Sequence, residues 1–304
     1  MSTVLITTSS FGAMDDAPLA MLSEAGYTVV LNPYKRKLTE DEVLGLVKEH
    51  DPVGILAGVE PLTRNVMSQG DSLKAIARCG IGMDSVDAGA AEELGLALTN
   101  TPDAPTQAVA EITLGAILSM LRGIHHSHGE IVAGRWVRPM GSLLSHQVVG
   151  LLGLGRIGRR LAEMLAPFGC TILGHDPFVE SCPGVETVSF DDLLSQSDVL
   201  SLHLPYSGET HHVMDASALA AMKAGAYLVN YSRGGLVDEE ALAAALEDGH
   251  LAGAALDSFE EEPYSGPLRN FSNVVLTGHI GSYAREGRIM QEVQAVENLL
   301  KSLA

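Results

Sequence analysis

The hexapeptide Gly153-Leu154-Gly155-Arg156-Ile157-Gly158 fits G-x-G-x-x-G, and its flanks give the pattern meaning. It follows the apolar run Val148–Leu152 and opens a helical stretch over residues 156–166. In that setting Gly153 permits a tight turn, Gly155 lets backbone approach a pyrophosphate, and Gly158 lets helix and strand pack closely. The helix start, with Arg156 and Ile157 in its first turn, adds free N–H groups and a positive dipole end. Asp176 stands 18 residues beyond Gly158 (176 − 158), after the strand-like run 171–174. That is near the ~20-residue spacing at which an acid bonds the adenine ribose. A carboxylate there repels a 2′-phosphate, so the expected cofactor is NAD rather than NADP.

Three further residues follow apolar runs, where open α/β sheets place their ligands. They are Arg233 in Asn230-Tyr231-Ser232-Arg233-Gly234-Gly235, Glu262 in the segment after Leu256-Asp257, and His279 in Thr277-Gly278-His279-Ile280-Gly281. A guanidinium fork can hold a carboxylate and polarise an adjacent carbonyl. An imidazole titrating near neutrality can exchange the alcohol proton, and an acid can orient it and favour its protonated form. Delivered beside a nicotinamide, those three side chains are what reduction of a 2-keto acid requires. Composition alone reads Glu260-Glu261-Glu262 as a solvated acidic loop, and a lone histidine among 11 is more often structural.

The elements that must carry these residues alternate. Short apolar runs at 4–7, Thr28–Leu31, Gly54–Ala57, Ala75–Arg78 and Ala97–Thr99 are expected strands. Amphipathic spacing predicts helices over 17–25, 39–48 and 86–94, with Thr39 and Glu42 forming a capping box. The turn chemistry of residues 100–105 opens a long apolar helix over 106–122, followed by a less regular stretch over 124–147. A second alternation has strands at Val148–Leu152, 171–174, Val199–Leu202, 226–230, 252–256 and Val274–Leu276. Its helices are expected over 156–166, 191–196, 216–222 and 238–247, and a last helix over 284–303. Strand–helix alternation implies parallel sheets covered on both faces. The expectation is an α/β protein of two doubly wound, Rossmann-like domains separated by a cleft. Residues 1–100 with 285–304 form one domain, and 101–284 the other, which binds NAD.

The chain has 304 residues, 46% of them hydrophobic, and a formal net charge of −19. An acidic surface repels phosphate backbones and anionic lipid heads, so neither nucleic acid nor membrane is an expected partner. No window approaches the roughly 20 apolar residues of a membrane span, and the N-terminus lacks the features of a signal peptide. Cys79, Cys170 and Cys182 have no paired spacing. The clusters His125-His126-Ser127-His128 and His211-His212 match no metal-ligand pattern. The expected location is the cytoplasm, without a metal.

Taken together, these motifs resemble the D-isomer-specific 2-hydroxyacid dehydrogenases, especially their phosphoglycerate-dehydrogenase-like branch. The resemblance runs almost end to end, through residues 78–84, Asn100-Thr101-Pro102, Val109-Ala110-Glu111, His203-Leu204-Pro205, residues 232–235, Glu262-Pro263 and His279-Ile280-Gly281. It implies that Arg233 binds the substrate carboxylate and carbonyl, that His279 is the acid/base, and that Glu262 pairs with it. It implies a cofactor site that also includes His203, Pro205, Tyr231, Asp257 and Gly281, and backbone N–H groups around Ile81 and Gly82 that hold the substrate carboxylate. A homodimer is implied as well. Where phosphoglycerate-using relatives place arginines, this chain has Ala57-Gly58-Val59-Glu60. Tyr231 is bulky where a small residue is expected. Glu262 stands where formate dehydrogenases carry Gln, which argues against formate. Arg64, Arg78, Arg135 and Arg138 are candidates for a second anionic group on the substrate.

The leading expectation is therefore an NAD-dependent enzyme acting on a D-2-hydroxy acid. One alternative is an NAD(H)-sensing, corepressor-like binding protein of the same fold; another is a glyoxylate or hydroxypyruvate reductase. The complete Arg233, Glu262 and His279 set favours an enzyme over a sensor.

Overall fold

The computed structural model describes residues 2–304. The chain divides into two compact units, one of residues Met1–Pro105 with Tyr283–Ala304 and one of Thr106–Ser282. The first unit runs β1 (Thr3–Ile6), α1 (Ala17–Glu24), β2 (Thr28–Leu31), α2 (Glu40–His50), β3 (Gly54–Ala57), α3 (Arg64–Met67), β4 (Ala75–Arg78), α4 (Ala88–Glu93) and β5 (Ala97–Thr99). The second contains α5 (Thr106–Leu121), α6 (Ile124–Val132), β6 (Val148–Leu152), α7 (Arg156–Leu165), β7 (Thr171–His175), β8 (Glu186–Thr187), α8 (Phe190–Gln196) and β9 (Val199–Leu202). It continues through α9 (Ala216–Ala221), β10 (Tyr227–Asn230), α10 (Glu239–Glu247), β11 (Gly253–Leu256) and β12 (Val274–Leu276). Helix α11 (Arg285–Leu303) returns to the first unit.

Both sheets are parallel throughout. The first is ordered β2-β1-β3-β4-β5, so its order reverses between β1 and β3. The second is ordered β12-β11-β10-β9-β6-β7-β8 and reverses between β6 and β9. Each is an α/β Rossmann-like sheet with a switch point where such folds bind ligands.

Alternate side chains along each strand feed opposite cores, as a pleat with helices on both faces demands. In the second unit Val149, Leu151, Val199 and Val229 pack with Ile117, Leu121, Leu161 and Leu165 of α5 and α7. Leu152, Leu200, Leu202, Leu228 and Leu256 pack with Leu193, Leu219 and Leu242 of α8, α9 and α10. In the first unit Leu5, Ile55 and Ile76 face α2 to α4, while Val4, Ile6, Leu56 and Ala75 face α1 and α11. A Cβ on Gly54 would lie 2.9 Å from Leu299, so this glycine lets α11 settle directly on β3. The capping box at Thr39 and Glu42 is formed.

The stretch 124–147 departs from the irregular reading. Gly123, at φ 60°, ends α5, and the chain then bends by 68° into helix α6. None of the residues of α6 is buried. Its apolar residues Ile124, Ile131 and Val132 are exposed rather than packed against a core of the chain. Short α3 and the two exposed residues of β8 also escape sequence patterning.

Candidate active site

The glycine fingerprint occupies the β6 side of the second switch point. A Cβ on Gly153 (φ 101°) would lie 2.7 Å from the His203 carbonyl oxygen, and one on Gly158 would lie 2.1 Å from the Gly153 oxygen. Both glycines are therefore demanded by the chain's own backbone. Gly155 is different. A Cβ there would meet no protein atom within 4 Å, so the space over the start of α7 is open. No side chain caps α7, and no acid occupies its first turn. Unmade N–H bonds, a dipole end and open space are what a dinucleotide pyrophosphate needs, and the residues present fit that group. Arg156 is exposed at the first helical position, and Ile157 is half-buried behind it.

Asp176 follows β7. Its Oδ2 accepts the Leu154 N–H at 2.8 Å and its Oδ1 the Phe178 N–H at 2.9 Å. The carboxylate thus tethers the glycine loop, and its remaining lone pairs can receive ribose hydroxyls. His203 follows β9, with Nε2 3.0 Å from the Ser201 hydroxyl and a buried Nδ1 that has no partner. Burial pushes its pKa down to about 4, so the ring is neutral at pH 7. Pro205 is exposed two residues on.

At the ends of β10, β11 and β12 three turns come together. Asp257 is 1% exposed, and its carboxylate accepts Ile280 N–H at 2.8 Å, Gly281 N–H at 2.7 Å and the Thr277 hydroxyl at 2.5 Å. Its own carbonyl accepts the His279 N–H at 2.8 Å. These four bonds hold His279 at φ 55°, a left-handed conformation that persists only where the surroundings over-determine it. From that backbone the His279 ring reaches Glu262, with Nδ1 3.0 Å from both carboxylate oxygens. Both side chains remain partly open to solvent. Glu262 Oε1 also accepts the Phe259 N–H at 3.2 Å, which closes its loop.

Arg233 sits in a turn braced by Asn230. The buried Asn230 amide donates to the Arg233 carbonyl at 2.8 Å, and its oxygen accepts the Ser232 N–H at 3.0 Å. The Ser232 hydroxyl donates to the Leu202 carbonyl of β9 at 2.6 Å. The next residue ties this turn to the Glu262 loop: a Cβ on Gly234 would fall 1.9 Å from the Phe259 carbonyl carbon. The Arg233 guanidinium donates to the Ser232 carbonyl at 2.8 Å. Tyr231 is buried, its hydroxyl 3.5 Å from Thr277 Oγ1, and burial raises its pKa. Gly281 leaves room there, since a Cβ on it would lie 3.0 Å from Asp257 Oδ2 and 3.9 Å from the Tyr231 ring.

In the first unit Ile81 and Gly82 follow β4 and are half-buried. The Ile81 carbonyl accepts the Asn100 amide at 2.8 Å. Arg64 pairs with Glu93 and Arg135 with Glu130, both on the surface, whereas Arg78 is buried and donates to the Cys79 carbonyl. Asn230, Gly234, Thr277 and Glu239 were not singled out in the sequence, yet each braces a turn of the site. Asn230 and Gly234 carried a signal through their place in the Arg233 segment and Thr277 through its place in the His279 segment, whereas Glu239 carried none.

Comparison with known proteins agrees with these motifs. A family model described as "D-isomer specific 2-hydroxyacid dehydrogenase, NAD binding domain" matches residues 114–281. A glyoxylate reductase of Thermofilum pendens is 38% identical over 94% of this chain and 88% of its own length. A D-3-phosphoglycerate dehydrogenase of Methanocaldococcus jannaschii is 37% identical over 88% of this chain, which spans only 52% of that protein. A crystal structure of the TT0316 protein from Thermus thermophilus superposes with a TM-score of 0.91 at 37% identity, covering 99% of this chain and 96% of that one.

Proposed function

Given that the chain belongs to the D-isomer-specific 2-hydroxyacid dehydrogenase family, we propose that it is an NAD-dependent oxidoreductase interconverting a D-2-hydroxy acid and its 2-keto acid. The observation that carries this reading is the His279–Glu262 pair, held by Asp257 and tied through Gly234 to the Arg233 turn. Bound NAD supplies the acceptor and donor of the hydride. Arg233 binds the substrate carboxylate and polarises the neighbouring carbonyl. With Nδ1 directed at Glu262, Nε2 of His279 is the atom that gives a proton to the carbonyl oxygen in reduction and takes it back in oxidation. Glu262 fixes the ring orientation and tautomer by accepting at Nδ1, which leaves Nε2 to face the substrate.

Substrates with small or neutral tails, such as glyoxylate or hydroxypyruvate, suit the chain better than phosphoglycerate. The loop after β3 places the buried carboxylate of Glu60, not an arginine, at the switch point of the first sheet. The T. pendens relative is a glyoxylate reductase of nearly the same length. The active form is a homodimer joined through residues 124–143. Trp136 is 82% and Met140 99% exposed in that stretch, which also carries exposed Ile124, Ile131, Val132 and Leu143, and exposed apolar side chains concentrated in one segment favour an interface. Three unpaired thiols accord with the cytoplasm.

His279→Gln tests the mechanism. Turnover of 2-keto acids should fall by roughly 10²- to 10⁴-fold while NADH still binds. Wild-type turnover in that variant removes the proposal.

A further inference from the structure

Helix α10 begins with two glutamates that face different ways. The cap of the helix belongs to Asp238, whose Oδ1 accepts the Ala241 N–H at 3.0 Å. Glu240 is exposed, as first-turn acids ordinarily are. Glu239 is only 7% exposed and turns toward the loop after β11, where its Oε1 accepts the Glu260 N–H at 2.8 Å. A buried carboxylate needs such a donor, because burial without one costs several kcal/mol. The ionisable groups facing it are Glu240 on its own helix, Glu260 and Glu262 on the loop, and the Tyr264 hydroxyl. Burial, with those acidic neighbours, raises the Glu239 pKa. The setting offers little electrostatic reward for an acid, so the bond to the loop is what its placement achieves.

The bond joins two parts of the site. Helix α10 follows the turn that carries Arg233, and the loop it grips runs from Asp257 to Glu262. Gly234 presses on Phe259 at one point of that loop, Glu239 holds Glu260 at the next, and the Glu260 side chain pairs with His212. Glu262 lies two residues on, its Oε1 accepting the Phe259 N–H. The Phe259 ring stacks on Tyr264 at 4.2 Å on the other side.

We propose that Glu239 is a positioning residue for the reaction. Its carboxyl, by accepting the Glu260 amide, fixes the loop that aims Glu262 at His279 relative to the turn that carries Arg233. The inference rests on the functional reading above. Glu239 touches neither substrate nor cofactor and acts through Glu262. The acceptor oxygen matters and the charge does not, so Glu239→Gln keeps the function. Glu239→Asp retracts the acceptor by one methylene and loses it, as does Glu239→Ala.

The test compares these three variants in the full-length protein by steady-state kinetics, NADH binding and 15N shifts of the His279 ring. Glu239→Asp and Glu239→Ala should lower kcat between about tenfold and a hundredfold, the scale of a 1 Å misplacement. Their KM and NADH Kd should stay within about twofold, since a loss confined to kcat leaves ground-state binding intact. Glu239→Gln should restore kcat. The ring shifts should report loss of the Nδ1–Glu262 bond in the Asp and Ala variants and its retention in the Gln variant. That readout needs no turnover, so it judges Glu239 even if the wild-type protein reduces no 2-keto acid, an outcome that would fell the functional reading by itself. If Glu239→Ala does not fold, the contrast between Asp and Gln decides. Wild-type kcat and unchanged ring shifts in Glu239→Asp overturn the proposal. So does a Gln variant that loses kcat, NADH binding and thermal stability together.

Discussion

Between β6 and β9 the chain leaves open space over Gly155, with uncapped N–H groups facing it. Between β1 and β3, at the corresponding reversal of the other sheet, it fills the position with Glu60, which is 2% exposed. The Thr7 hydroxyl and the Gly58 N–H both donate to one oxygen of that carboxylate, the latter at 2.7 Å. A Cβ on Gly58 would strike the other oxygen at 2.6 Å and approach Thr8 at 3.2 Å. The two switch points share a winding, yet one presents donors to a ligand and the other satisfies its donors internally. Architecture locates a place for a ligand, and the side chains decide whether it is offered.

The largest test of that contrast exchanges the glycines. Gly155→Val should leave thermal stability near wild type, because a Cβ there has no protein atom within 4 Å, while weakening NADH binding at least about tenfold, or 1.4 kcal/mol. Gly58→Ala should do the reverse, leaving NADH affinity unchanged and lowering stability by about 1–3 kcal/mol through overpacking against Glu60 and Thr8. Fluorescence titration and urea unfolding of both variants would break the comparison if the effects were swapped or shared.

His203, a half-buried imidazole held neutral beside the fingerprint, sharpens it. Its folded pKa of about 4 lies below the unfolded value near 6.5. A depressed histidine binds fewer protons folded than unfolded, so its contribution is complete above pH 6.5 and is lost as pH falls toward 4. Between pH 7.5 and 5 the loss is about 2 kcal/mol. Unfolding free energies of wild type and His203→Phe, from urea titrations across that range, should diverge by this amount. Parallel curves would remove the assignment.

Asp176→Ala is expected to have the smallest effect. Losing the carboxylate should shift the NADH/NADPH preference by about tenfold, or 1.4 kcal/mol, and slacken the loop at Leu154. An unchanged cofactor ratio refutes the ribose role.

The strands were legible because parallel strands buried on both faces read as unbroken apolar runs, as in β3, β6 and β11. Helix α6 was not, because Gly129 and three histidines interrupt its few apolar residues. The acidic run Glu260-Glu261-Glu262 shows a second limit. Composition assigns all three to solvent, but Glu260 pairs with His212, Glu262 meets His279, and only Glu261 lacks an assigned contact. Partners 48 and 17 residues away leave no periodic trace. Glu239 was invisible for the same reason, its contact lying 21 residues on. Arg233, Glu262 and His279 were singled out through strand-end placement and family resemblance, not spacing.

The central claim is that the turns at 230–234, 257–262 and 277–281 form a 2-keto acid reductase site served by the Gly153–Gly158 loop. Its most direct test is NADH and NADPH oxidation by the purified protein over a panel of 2-keto acids that includes glyoxylate, hydroxypyruvate and pyruvate. The account predicts turnover with at least one of them and a preference for NADH. Tight NADH binding with no turnover on any of them would contradict it and point to a sensor.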